Sequence, residues 1–456
     1  MESMVEVDYV VVGAGAMGMA FTDALVAHSD ASVAIVDRRH GPGGHWLDAY
    51  GFVRVHQASA FYGVASAPLG NGLIQTDGPE KGLHERATAP EVCAYYGRVL
   101  AQLQKTGRVS FHGRCEHLGG GRFVSLLSGE RFHAPRARIV DARYLAPDIP
   151  ALTRPPFSVD EDARVIPVND LARLGEAPER YVVVGAGKTA CDACVWLLQN
   201  GVSPDAITWV RPRDAWMLNR AVVQPDPAVF LRMAAETMRA AAEASDPYDV
   251  FVRLEDAGIM LRIDPAVGPT MAKTPTLATW ELDLLREIDD VIRLGHLLAV
   301  APGRLVLTDG EVRIPRGAVI VHCAAEGLKY PGLRPIWTPE TITPQPVRVG
   351  FPCFGAALTG YVEATREDDA EKNRVCRPSP YSDTPADWAA MQIIGGDASL
   401  AMTREPDLRE WSNTTTLNPV RIPPERADDP EVLAARARLK QFIGPGRARL
   451  AEFAAR

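Results

Sequence analysis

The sequence predicts an α/β protein whose architecture is written twice, and three observations carry that reading. The phrase YVVVGAG occurs at residues 9–15 and again at 181–187. Each copy is an apolar, β-branched run that stops at glycine and leads into a helix-like stretch. Each half then shows short strands with glycine turns and a further apolar run, at 137–142 and at 318–324. Continuous apolar runs of this kind suit parallel strands buried on both faces. The predicted fold is α/β, with two Rossmann-like dinucleotide-binding domains, a helical insertion and a helical C-terminal region.

The glycine phrases have a specific physical use. The first copy holds Gly13 and Gly15 and continues as Ala16-Met17-Gly18, completing G-x-G-x-x-G. The second holds Gly185 and Gly187 and continues as Lys188-Thr189-Ala190, completing G-x-G-x-x-A. The first glycine permits a tight turn, and the second lets backbone approach a pyrophosphate. The third position must be small so that helix and strand pack closely. The pyrophosphate then meets free N–H groups and the positive end of the helix dipole. Two such turns in one chain imply two dinucleotides, held so that electrons pass between them.

The next strand of each half separates the two ligands. The run 32–36 ends in Asp37, followed by Arg38. A carboxylate there accepts ribose hydroxyls and repels a 2′-phosphate, which suits FAD or NAD. The run 206–210 ends in Arg211, with Arg213 beyond it. Arginine there pairs with a 2′-phosphate, so the second ligand is read as NADPH, with Lys188 able to touch its phosphates.

After the first fingerprint comes a loop, Gly41-Pro42-Gly43-Gly44-His45-Trp46, and then 50–63, YGFVRVHQASAFYG. It is rich in aromatics, imidazoles and glycine without helical or strand periodicity. Long irregular stretches in compact domains are often functional. Residues 91–106 read as a helix, and 108–132 as short strands. Cys115 in that run and Ala142 at the end of the 137–142 strand belong to the expected cofactor surface. The second half repeats the order, with Asp309-Gly310 expected as a hairpin turn near 298–314. Between 214 and 286 lies an insertion with expected helices at 228–244 and near 277–288.

Domains are expected at 1–150 for the first part of the FAD-binding domain and at 151–330 for the NADPH-binding domain with its insertion. Residues 331–456 return to the FAD domain and add a C-terminal helical region. That region reads as a cap or as an oligomer surface of the kind a homodimer uses. A helix N-terminus in the segment 354–360 is expected to point at the flavin.

Composition narrows the class. The 456 residues are 46% hydrophobic and 23% charged, with a net charge of −8. That is globular composition, with no basic run for nucleic acid or a membrane surface. The given sequence enters the first strand at once, so no signal peptide is expected, and no apolar run approaches membrane-spanning length. A cytoplasmic protein is expected. Seven scattered cysteines fit a reducing compartment. Cys191 and Cys194 form C-x-x-C, but at that spacing on a helix both face the sheet, so core packing is expected. No His/Cys/Asp group has metal-ligand spacing.

With these residues in view, the chain resembles the class B flavoprotein monooxygenases, which include flavin-containing and Baeyer–Villiger monooxygenases. The resemblance covers most of 8–215. It rests on GAGAMG, on Gly43-Gly44-His45-Trp46 (similar to the family's G-G-x-W), on Arg54 within YGFVRVHQASAFYGV, and on the second fingerprint with its arginine. It implies that Gly44, His45, Trp46, Arg54 and Gln57 line the flavin, with Arg54 and Gln57 as catalytic candidates. The family uses FAD, NADPH and O2, and its flavin C4a-(hydro)peroxide passes one oxygen to a small organic substrate. Two departures stand out. The family's F-x-G-x-x-x-H is missing from the linker 144–180, and its A-T-G is replaced by Asp141-Ala142-Arg143. A flavin or disulfide-type reductase of the same architecture, and a non-catalytic dinucleotide sensor or scaffold, are the competing expectations.

Overall fold

A computed structural model describes residues 2–325 and 331–455. The expected domain boundary at 330 lies outside the described residues. In the first half, β1 (Tyr9–Val12) leads into α1 (Ala16–His28) and β2 (Val33–Asp37). Helix α2 (Ala89–Lys105), β3 (Val109–Gly113) and β4 (Arg138–Asp141) follow. Thr88 and Glu91 cap α2 reciprocally, and proline occupies its first turn.

The second half holds β5 (Val165–Pro167), β6 (Arg180–Val184), α3 (Lys188–Gln199) and β7 (Ile207–Val210). Helices α4 (Pro227–Glu243), α5 (Pro247–Asp256) and α6 (Thr279–Leu285) come next, then β8 (Val291–Ile292) and β9 (Ala318–His322). The chain ends with β10 (Thr341–Ile342), α7 (Pro352–Thr365), α8 (Pro385–Thr403) and α9 (Pro430–Ala454).

Two five-stranded sheets organise these elements, in the orders β10-β4-β1-β2-β3 and β5-β9-β6-β7-β8. Every pairing in both is parallel. All five residues of β2 and of β9 are buried, as unbroken apolar runs require. Strand β10 returns the chain to the first sheet beside β4. Buried Glu363 of α7 secures that return by accepting bonds from Tyr9 Oη at 2.7 Å, Trp337 Nε1 at 2.7 Å and Lys372 Nζ at 2.6 Å.

The insertion and the C-terminal helices form one layer. Trp216, Phe251, Trp388, Leu450 and Phe453 share a core. Helices α4 and α9 cross so closely that a Cβ on Gly446 would lie 2.4 Å from the Met238 carbonyl oxygen. Helix α5 within the insertion was not anticipated; its proline-led start and Asp246 cap are local signals that identify it afterwards. The expected Asp309-Gly310 turn is shifted by one residue. Gly310 already pairs with Leu307, so Thr308 and Asp309 make the turn. Cys191 and Cys194 are fully buried and unbridged, in the core under the second sheet. Among the described residues no helix is long and apolar enough to cross a membrane.

Close backbone approach makes a first prediction. A Cβ on Gly360 of α7 would lie 2.3 Å from the Phe21 carbonyl oxygen of α1. Gly360→Val should cost about 3 kcal/mol or more in thermal unfolding, because neither helix can yield without shifting a sheet. Gly97, exposed in α2 with nothing within 4 Å of its Cβ position, is the control. Gly97→Ala should stabilise by about 1 kcal/mol.

Candidate active site between two glycine turns

The first turn is closed by its own backbone. Gly13 has φ +106° and donates to the Val36 carbonyl at 2.8 Å. Asp37 is buried and accepts the Ala14 N–H at 2.6 Å and the Arg39 N–H at 2.7 Å. Its carboxylate therefore braces the turn, with further lone pairs able to accept donors. A Cβ on Gly18 would lie 1.9 Å from the Gly13 carbonyl oxygen, so the third glycine is obligatory. Ala16 and Met17 begin α1 directly beneath the turn.

The Gly43-Gly44 loop lies on this turn. Gly43 donates to the Ala14 carbonyl at 2.9 Å, and a Cβ on Gly44 would lie 2.8 Å from Gly15 Cα. Trp46 is buried beside it, donating to Tyr62 Oη at 2.6 Å, with the His45 ring 5.2 Å from its own. Desolvation, with Arg39 adding to it, pushes the His45 pKa down to about 4, so the ring is neutral. Ala142 donates to the Val12 carbonyl at 3.1 Å and borders Gly13. Next to it a polar cavity of about 570 Å³ opens between Asp141, Arg143, Tyr144 and Arg334. Arg38 is exposed, whereas Cys115 is buried among Val10, Val36 and Phe123 and acts as core.

The irregular segment after Trp46 is the seam between the halves. Tyr50 Oη donates to Asp192 of α3 at 2.7 Å, and Phe52 stacks on Trp196 of the same helix at 4.9 Å. Gln57 turns the other way, toward Gly350 ahead of α7. Arg54 differs from its expected place in a dry site. It is exposed, donates to the Arg86 carbonyl at 3.0 Å and bridges to Thr88, because the extended backbone there points its side chain outward. A second cation without a carboxylate partner among the described residues is Arg348, two residues before Gly350. Its guanidinium lies over the Phe354 ring at 5.4 Å, and burial pushes its pKa down to about 10. Nothing local in the sequence marks it.

At the second turn, Gly185 has φ +137° and donates to the Val210 carbonyl at 3.0 Å. The Cβ position of Gly187 meets nothing within 4 Å, leaving open space before the N-terminus of α3. Thr189 is half-buried and Ala190 buried at the start of that helix. Arg211 is 2% exposed, lies 4.6 Å over the Trp209 ring and pairs with Asp214 at 3.0 Å. Its Nε and Nη1 are buried without a partner. Arg213 does not join it. Its guanidinium donates to Asp383 at 3.0 Å and to the Thr270 carbonyl at 3.1 Å, tying the insertion to the C-terminal region. Lys188 is likewise turned from solvent and bonds Asp192 and, at 3.2 Å, Glu281.

Glu281 in turn receives Arg220 at 2.6 Å, and Arg220 also reaches Glu80 at 2.6 Å. Burial alone would raise the Glu281 carboxyl, but Lys188 and Arg220 outweigh it and hold the pKa down to about 2. These partners come from distant segments, which is why residue patterns did not reveal them.

Two outcomes follow from this geometry. In Gly15→Val the added methyls would meet the Gly44 backbone and close the first turn. The purified variant should lose the dinucleotide of that turn, read as nucleotide released on denaturation. Acid titration tests Glu281. A carboxyl lowered from 4.5 to about 2 contributes stability that is full above the unfolded value and lost as pH falls through the folded one. Wild type should therefore lose stability between about pH 4.5 and 2 more steeply than Glu281→Gln, followed by denaturant midpoints at each pH.

Comparison with known proteins agrees with this construction. Residues 11–62 match the model of an NAD(P)-binding Rossmann-like domain. The chain is 44% identical over 421 residues to the uncharacterized protein Rv2000 of Mycobacterium tuberculosis, covering 91% of this chain and 78% of that one. The uncharacterized protein Mb2023 of Mycobacterium bovis matches to the same extent. A solved polycyclic ketone monooxygenase from the fungus Thermothelomyces thermophila superposes with a TM-score of 0.51 at 13% identity, over 100% of this chain and 89% of that one. The chain thus shares the fold of that monooxygenase, and it belongs to the family of the mycobacterial protein Rv2000.

Proposed function

We propose that the protein is an FAD- and NADPH-dependent oxidoreductase, a monooxygenase that inserts one oxygen from O2 into a small organic substrate. The observation that carries this is the pair of glycine turns at the carboxyl ends of two parallel sheets, joined by one loop that touches both. That is where open α/β sheets take their ligands. FAD suits the first turn, with Asp37 at its ribose, Gly15 and Gly44 at its pyrophosphate and Trp46 packed beside it. NADPH suits the second, where Gly187 leaves room for a pyrophosphate and Arg211 keeps two donors unpartnered. When bound, the flavin supplies the two-electron chemistry and the reaction with oxygen.

The chain's own residues contribute orientation and charge. Tyr50 and Phe52 fix the loop on α3, where it would lie between the two nucleotides. Gln57 offers an amide at the start of α7, where free N–H groups gather. Arg348, held two residues from Gly350, stabilises negative charge there better than exposed Arg54, since a fixed cation acts most strongly away from water. The C-x-x-C pair is sealed in the core, which speaks against disulfide reduction.

The purified protein should be yellow, consume NADPH and transfer labelled oxygen from O2 to an organic acceptor. Consumption of NADPH with release of all oxygen as hydrogen peroxide, whatever acceptor is offered, would make it a plain reductase. Arg211→Ala tests the coenzyme. Charged hydrogen bonds are worth about 1.5–3 kcal/mol, so NADPH should bind roughly 10- to 100-fold more weakly, with NADH little changed. Equal treatment of both coenzymes by wild type and variant would overturn the NADPH assignment.

A further inference from the structure

Six side chains form an unbroken ionic chain through the interior: Asp192, Lys188, Glu281, Arg220, Glu80 and Arg86. The links measure 3.2 Å for Lys188–Glu281 and 2.6 Å for Glu281–Arg220, Arg220–Glu80 and Glu80–Arg86, with Asp192 closing the far end on Lys188. No side chain in it is more than 14% exposed. Three acids alternate with three bases, so the chain is neutral as a whole. Two of its bases stand in different places. Lys188 is the first residue of α3, at the second glycine turn. Arg220 belongs to the insertion and donates through Nε to the His56 carbonyl at 3.2 Å, and Thr276 donates to the same oxygen. Gln224 adds a parallel tie, bonding the Arg220 carbonyl at 2.8 Å and the His84 N–H at 2.9 Å.

We propose that Arg220 is a positioning residue for the loop 54–57, and that the ionic chain couples this loop to occupancy of the second turn by a nucleoside diphosphate. The proposal rests on reading that turn as a nucleotide site. An oxyanion arriving at the N-terminus of α3 competes with Glu281 for the Lys188 ammonium. Glu281 is then left to Arg220, and the guanidinium redistributes its donors between Glu281, Glu80 and the His56 carbonyl. A buried guanidinium cannot release one partner without strengthening another, since an unpaired charge there costs several kcal/mol. The loop beside Gln57 thus responds to a ligand that does not touch it.

Hydrogen–deuterium exchange of the flavin-loaded protein with ADP tests this, because ADP lacks the nicotinamide end that would reach the loop. In wild type, ADP should protect the start of α3 and change exchange of peptides spanning 53–62 and 78–88 by about threefold or more. In Glu281→Gln, ADP should still bind by calorimetry and protect α3, with the response of the two loop peptides gone. Should that variant fail to fold, Lys188→Met makes the same test, since the helix N-terminus still binds the diphosphate. Arg220→Lys keeps the charge but loses the fork, so loop exchange without ADP should rise about fivefold, the worth of one hydrogen bond. Unchanged loop exchange in Arg220→Lys, a wild type whose loop ignores bound ADP, or a loop response surviving in Glu281→Gln or Lys188→Met would overturn the proposal. Absence of any ADP binding to wild type would instead overturn the reading of the second turn.

Discussion

The guanidinium of Arg220 has no exposed surface, and its two carboxylates come from separate segments, Glu80 in the first half and Glu281 in the insertion. Burying a charge in that position is costly unless opposite charges and hydrogen bonds compensate it, and each Arg220 nitrogen has such a partner. It therefore fixes where the 80–86 loop, the start of α6 and the His56 carbonyl stand relative to one another. This constraint explains how a segment with no helical or strand period keeps a defined course between the sheets. Hydrophobic packing alone is non-directional and would not set it.

Glycine plays the complementary part, setting distances where charge sets directions. Gly18 brings α1 against the first turn, Gly360 brings α7 against α1, and Gly446 brings α9 against α4. At each site a single methyl group would collide with backbone. The return of the chain to the first sheet uses both devices at once. Gly360 admits the helix, and Glu363, one turn further along, bonds Tyr9 at the head of the first YVVVGAG phrase.

What could be read from the residues in advance was local. The strands, the glycine turns and the helix after each turn are dictated by neighbours within a few positions, and α1, α2, α3 and α4 fall within a few residues of where pattern puts them. The hairpin at Thr308-Asp309 differs by one residue because cross-strand pairing, not the Asp-Gly dipeptide, set the register. The candidate site was legible in its glycine and Trp46 parts for the same reason. It was not legible in its cations. Arg54, Arg211 and Arg213 are alike as letters, yet one is exposed, one is buried over an indole, and one is spent on Asp383 some 170 positions away. Arg220 and Arg348 carry no local mark at all, since burial of a charge is decided by partners remote in sequence.

The loop 50–57 shows why two similar halves do not make two independent machines. By chain order it belongs to the first half, where Trp46 and Gln57 anchor its ends near the first turn and α7. By contact it belongs equally to the second, through Tyr50 on Asp192 and Phe52 on Trp196. Asp192 is also the outer acid of the ionic chain, so the tyrosine hydroxyl and the Lys188 ammonium share one carboxylate. On the proposed reading, a shift of α3 on binding a ligand would pull on Tyr50 and on the backbone that leads to Gln57. The insertion that supplies Arg220 and Glu281 gives that seam its buried ionic ties.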